Sequence, residues 1–111
     1  MEQIPSPETK QPIEVLVFGS PNAKYCASCG GSRSQAQIAQ GLFLRLRRLF
    51  GEQVACRFVD VELEDLSAYP NVRRRMTRLS NLPIVTMDGE IQSIGHVYPN
   101  RLSHAIKKKL G

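Results

Sequence analysis

The chain has 111 residues, a length that fits one domain with one hydrophobic core. Hydrophobic residues make up 41% and charged residues 23%, which excludes a disordered, charge-dominated chain, and no apolar run reaches the ~18 residues of a membrane-spanning helix. Fifteen Lys and Arg against ten Asp and Glu give a net charge of +5, yet no zinc-finger, RNP or KH signature accompanies it. A solvated basic face is therefore expected rather than a nucleic-acid partner.

Residues 1–12 hold Pro5, Pro7 and Pro12 among polar side chains and read as a mobile N-terminal tail. They contain no apolar stretch of the kind a secretory signal needs. The expected domain is 13–111 and the expected location is the cytoplasm. Next, Ile13-Glu14-Val15-Leu16-Val17-Phe18-Gly19 is short, β-branched and nearly continuous in apolar character, as a strand buried on both faces would be. A loop follows, carrying Cys26-Ala27-Ser28-Cys29 and prolonged by Gly30 and Gly31. From Ser34 the spacing becomes helical, with Ile38, Leu42, Leu46 and Leu49 on one stripe and Ala39, Phe43 and Phe50 beside it. Ser32 or Ser34 can cap this helix, each with a glutamine three residues on (Gln35, Gln37), and Gly51 ends it.

A second strand is expected over 54–62, leading to an acidic turn with Glu64 and Asp65. Tyr69-Pro70-Asn71 opens a second helix, with Val72, Met76 and Leu79 inward and the arginines outward. A third strand is expected over 82–87. Asp88-Gly89 is a two-residue hairpin signal into a fourth strand over 90–95. Tyr98-Pro99-Asn100 opens a last helix whose inner stripe is Leu102, Ile106 and Leu110. The order β-α-β-α-β-β-α makes the first two strands parallel and the last two antiparallel. That is an α/β sandwich, one four-stranded mixed sheet with helices on both faces.

The cysteines sharpen the functional reading. Three is an odd count, unlike the even sets of small disulfide-held secreted domains, and two of them form Cys26-x-x-Cys29. A close pair of this kind in a reducing compartment points to redox or metal chemistry. Only a thiolate attacks a disulfide, and a free thiol with a pKa of about 8.5 is mostly protonated at neutral pH. A helix N-terminus and a second thiol favour the anion, and Lys24 and Arg33 add positive charge nearby. Two intervening residues allow the sulfurs to close a disulfide. Cys56 alternates with Val54 and Phe58 and reads as a buried small hydrophobe. His96, after Gly95, reads as a surface-loop histidine, and His104 as a solvated or half-buried helix side chain.

With Cys-x-x-Cys after the first strand and Leu82-Pro83 before the third, the chain resembles the thioredoxin-like superfamily from about Ile13 to Leu110. The stretches carrying the resemblance are Tyr25 to Cys29, Phe58 to Glu62, and Leu82 to Ile91 with Ile94-Gly95 closing the hairpin. Within the superfamily, Cys-Ala-Ser-Cys and Pro99-Asn100-Arg101-Leu102 look like the small YuzD-like bacterial proteins. The resemblance implies a thiol–disulfide oxidoreductase. Cys26 would be the attacking thiolate, Cys29 the resolving thiol, and Pro83 a cis-proline facing the pair. A protein or low-molecular-weight thiol or disulfide is the expected substrate; no cofactor and no membrane partner are expected, and a homodimer is open. Tyr25, Ala27 and Ser28 depart from the tryptophan and the Gly-Pro of thioredoxin. Two other readings of the same cysteines stay open: a metal or iron–sulfur module, and a thioredoxin-fold interaction domain without catalysis.

Overall fold

The computed structural model describes residues 11–23, 33–76 and 81–111. Strand β1 (Ile13–Gly19) is followed by helix α1 (Gln35–Phe50), strand β2 (Val54–Asp60), helix α2 (Pro70–Arg75), strands β3 (Ile84–Met87) and β4 (Glu90–Ile94), and helix α3 (Pro99–Leu110). Single 3-10 turns occupy Gly51–Gln53 and Leu66–Ala68. The strands form one mixed sheet in the order β2-β1-β3-β4. β1 runs parallel to β2 and antiparallel to β3, and β3 pairs antiparallel with β4. This is the expected α/β architecture, and it is consistent with a thioredoxin-like fold.

β1 sits inside the sheet because it is apolar on both sides; every residue but Glu14 is buried. On one face Val15, Val17, Val85 and Met87 meet Ala39, Leu42, Leu46 and Phe50 of α1 and Leu102 and Ile106 of α3. On the other, Leu16, Phe18 and Ile84 pack with Val59, Val72 of α2 and Leu82. There Tyr69 sets its ring edge-on to Phe18 at 4.9 Å between centroids, a favourable aromatic geometry.

Local chemistry sets the element ends. Ser34 caps α1 in a reciprocal box with Gln37: Gln37 N–H donates to Ser34 Oγ at 3.2 Å, and Ser34 N–H donates to Gln37 Oε1 at 2.9 Å. Gly51 ends α1 at φ 58°. Pro70 and Pro99 each stand in the first turn of a helix, where a missing N–H costs nothing. Asp88 and Gly89 both have positive φ, 50° and 88°, as a tight two-residue hairpin turn requires.

Several expectations are corrected. Leu49 is 50% exposed; Phe50 takes the inward position in the last turn of α1 and leaves Leu49 on the solvent side. β2 stops at Asp60 rather than at residue 62. The Asp60 carbonyl accepts from the N–H groups of Leu63 and Glu64, and its carboxylate accepts from Glu62 N–H, so the chain turns. β3 begins at Ile84, not Leu82, because Pro83 has no N–H to give a ladder. Of the inner residues expected on α2, Val72 is buried and Met76 half-buried, while Leu79 lies outside the described residues. Of the expected tail, 1–10 lies outside them too, and Gln11 and Pro12 are exposed.

Two contacts generate predictions. The Asp88 carboxylate accepts from Glu14 N–H at 2.8 Å while Asp88 N–H donates to the Glu14 carbonyl at 2.8 Å, and Lys109 pairs with Asp88 at 3.0 Å. The hydrogen bond from Glu14 and the nearby Lys109 charge hold the Asp88 carboxyl below the usual carboxylate range. A depressed carboxylate stabilises the fold above its unfolded pKa, about 3.9, and loses that contribution as pH falls through its lower folded value. Asp88→Asn should therefore flatten the loss of stability below about pH 4. Asp88→Ala should cost about 1–2 kcal/mol at pH 7, both read by urea denaturation. The Thr86 hydroxyl is buried without a hydrogen-bond partner among the described residues, on the face lined by Leu16 and Ile84. Thr86→Val keeps the shape and removes the unpaired group, and should raise stability by about 1 kcal/mol in the same assay.

Candidate functional site

The end of the sheet at which β1 and β2 finish and β3 begins gathers the residues that frame the cysteine segment. Val61 N–H donates to the Gly19 carbonyl at 3.0 Å, carrying the parallel ladder one step past β2. Ser20 then leaves the sheet: its N–H donates to Gln35 Oε1 at 2.9 Å, and its hydroxyl is bonded to the Glu62 carboxylate. A turn follows, with Ala23 N–H donating to the Ser20 carbonyl at 3.1 Å. Gln35 N–H donates to the Ala23 carbonyl at 2.8 Å, so the chain that departs at Ala23 is joined again at the start of α1. Cys26 and Cys29 belong to the sequence between these two points and lie outside the described residues, as do Lys24 and Tyr25.

Gln35 is the functional neighbour that sequence reading missed. It was a candidate member of a capping box with Ser32; instead its side chain is buried and serves Ser20, and Ser34 with Gln37 caps the helix. Its amide packs so close to β1 that a Cβ on Gly19 would stand 2.6 Å from Gln35 Oε1 and 3.3 Å from the Phe58 ring. A buried glutamine at the first position of a helix leaves no periodic trace, because capping glutamines occupy the same positions.

Across the sheet, Phe18 lies opposite Ile84, so one step further Gly19 stands level with Pro83. The Leu82-Pro83 peptide bond is cis. Pro83 is wholly buried, Leu82 packs in the second core cluster, and the Pro83 carbonyl accepts from Gly95 N–H at 2.9 Å. The described structure thus brings Pro83 to the end of the sheet from which the Cys26–Cys29 segment departs.

The other candidates are apart from this end or on the surface. Cys56 is half-buried against the α1 side of the core, opposite Val15. It stands four residues before the β2 position that faces Gly19, on the order of 13 Å along the strand. Burial pushes its thiol pKa up, and the Arg47 charge pulls it partly back. His96 is exposed, its ring 5.8 Å from that of Tyr98, and its carbonyl accepts from Ser93 Oγ at 2.7 Å. His104 is exposed on α3. Among the described residues no group of three or more His, Cys, Asp or Glu is arranged to hold a metal ion, and no helix is long and apolar enough to cross a membrane.

Comparison with solved structures identifies the fold. A protein of unknown function from Staphylococcus aureus superposes with a TM-score of 0.68 at 23% identity, over 90% of this chain and 93% of its own. Thioredoxin-2 of a malaria parasite, described as a component of the parasite's protein secretion machinery, gives 0.54 at 20% identity over 89% and 84%. A further malarial protein gives 0.50 at 19% identity over 90% and 99%. No protein-family model matches the sequence, and no curated protein aligns with it significantly. At these identities the likeness establishes the fold alone.

The approach of Gln35 to Gly19 is testable. Gly19→Ala should displace the amide from Ser20 N–H and cost about 1–3 kcal/mol. In the Gly19→Ala/Gln35→Ala pair the two losses should be less than additive, because the smaller side chain relieves the clash, as a double-mutant cycle of urea midpoints would show.

Proposed function

We propose that the protein is a thiol–disulfide redox protein in which Cys26 is the nucleophile, Cys29 the resolving thiol and Pro83 the residue shaping the site beside them. The observation that carries this reading is the placement of the segment's two ends. In a thioredoxin-like sheet, the sequence holding Cys-x-x-Cys leaves at Ala23 and returns at Gln35, 2.8 Å apart through their backbones, beside the end of β1. A 16-residue helix begins there with no acidic residue in its first turn, so its positive end is uncompensated by a carboxylate. That charge, with the exposed Arg33, favours a thiolate over a thiol at the helix start.

The chemistry is a two-step exchange. The Cys26 thiolate attacks one sulfur of a substrate disulfide; the S–S bond breaks, and the released substrate thiolate takes a proton. The Cys29 thiolate then attacks Cys26 Sγ, freeing the second substrate thiol and closing a Cys26–Cys29 disulfide. The substrate gains two electrons and the pair loses them; an external dithiol resets it. The substrate is a protein or low-molecular-weight disulfide, the site of action the cytoplasm, and the narrower kinship that of the YuzD-like proteins.

A pH titration of alkylation tests the reading in a Cys56→Ser background, on anaerobically purified protein with its metal content assayed. The expected result is a Cys26 pKa clearly below the ~8.5 of a free thiol, and loss of both thiols to a disulfide that a dithiol reverses. Cys29→Ser should trap the mixed disulfide. In the unsubstituted chain Cys56 should alkylate last, its thiol being raised by burial. An ordinary Cys26 pKa with no internal disulfide would overturn the proposal, and stoichiometric metal would favour the metal-binding alternative.

A further inference from the structure

α1 and α3 lie on the same face of the sheet, and neither contains an aspartate or glutamate. α1 carries Arg45, Arg47 and Arg48; α3 carries Arg101 and closes with three lysines. A cluster of carboxylates stands elsewhere, at Asp60 closing β2 and at Glu62, Glu64 and Asp65 in the turn after it. One layer of the molecule is therefore cationic throughout, and the Lys109–Asp88 pair neutralises one lysine of it. A basic layer alone is a solvated face. This one contains a groove.

The groove runs between α1 and the chain entering α3, and encloses about 270 Å³. Its floor is apolar: Leu42 and Val97 are buried there, with Ile38 and Pro99 beside them. Arg33 and Arg45, both exposed, stand at its rim. The Arg45 guanidinium donates to Asn100 Oδ1 in the first turn of α3, which holds one positive charge at the groove's edge. Ile38, Leu42 and Arg45 recur at helical spacing, so the groove follows one face of α1.

Gly41 also lines it, and nothing in the fold accounts for a glycine there. It lies in the middle of a helix, with no positive φ and no atom within 4 Å of where a Cβ would be. Alanine would fit and would favour the helix by about 0.5–1 kcal/mol. What glycine does at this place is leave the wall of the groove open.

We infer that this groove, with Gly41 as its open wall and Arg33 and Arg45 at its rim, docks an acidic peptide segment of a protein partner. An apolar side chain of the segment lies on Leu42 and Val97, and flanking carboxylates meet the two guanidinium groups. The volume, about 270 Å³, falls just below the ~300–1,000 Å³ of cofactor pockets and suits a side chain with its neighbours. The lining favours peptide over nucleic acid, because among the described residues no aromatic ring lines the groove to stack a base. Rim charges of one sign select partners of the other and speed encounter. The inference goes beyond the thiol reading and does not depend on it.

Fluorescence anisotropy on the full chain tests it. The probe is a fluorescein-labelled pentapeptide with a central leucine and two carboxylate residues on each side; the control replaces the acids by lysines. The acidic probe should bind, the lysine control should not, and binding should weaken as salt rises from about 0.05 to 0.5 M. Arg33→Glu/Arg45→Glu should weaken it about tenfold or more through like-charge repulsion. Gly41→Leu should fill the groove and weaken binding about tenfold without lowering the melting temperature, since leucine favours the helix. Equal binding of both peptides, undiminished binding by Gly41→Leu, or equally tight binding of a single-stranded oligonucleotide would each overturn the inference.

Discussion

A strand that is apolar on both faces cannot be satisfied at the edge of a sheet or under a single layer of helices, and β1 imposes that condition on the rest of the chain. Both of its backbone edges are paired, by β2 on one side and β3 on the other. Each face is then covered by a different set of helices: α1 and α3 over Val15 and Val17, α2 and the Leu82 turn over Leu16 and Phe18. Six buried positions of the seven supply much of the driving force, at about 25 cal/mol per Å² of apolar surface removed from water. Glu14, the exception, is where the strand's backbone is met by Asp88 from the hairpin turn.

The same strand decides which described residues meet at one end of the sheet. A parallel β1–β2 pair requires a crossover, and the crossover leaves from the carboxyl end of β1. The antiparallel pairing with β3 brings the amino end of that strand, with Pro83, to the same place. Gln35 fastens the start of α1 there by filling the space above Gly19 and receiving Ser20 N–H. The described residues that meet at this end of the sheet are thus a helix start, the end of β1 and a buried proline.

Charge is sorted along with the layers. The acidic residues stand mainly in turns at the strand ends, where Glu62 and Glu64 bind Ser20 and Arg57. Arg57 in turn reaches the Tyr69 hydroxyl at 3.3 Å, linking β2 to the aromatic pair on the α2 face. The helices that cover the opposite face are left with positive charge alone. An excess of five charges, diffuse in the composition, becomes a cationic surface on one side of the molecule.

What the sequence determined by itself is what short-range physics decides. Two-sided hydrophobicity marked β1, Asp88-Gly89 marked the hairpin, prolines and glycine marked the helix ends, and element order with a parallel crossover left few arrangements of four strands. Cys26-x-x-Cys29 is legible as a close thiol pair in the sequence, since that requires only that two cysteines stand three positions apart. Where a side chain's role depends on atoms distant in the chain, the sequence was silent. Leu49 fits the α1 stripe by spacing but is exposed, because Phe50 takes the inward place in that turn. Gln35 resembles any capping glutamine until Ser20 and Gly19 are set against it. Gly41 is only a weak helix residue until Val97 and Pro99 arrive across the groove from it. These assignments needed the tertiary structure because each is a contact between segments that periodicity and turn chemistry treat separately.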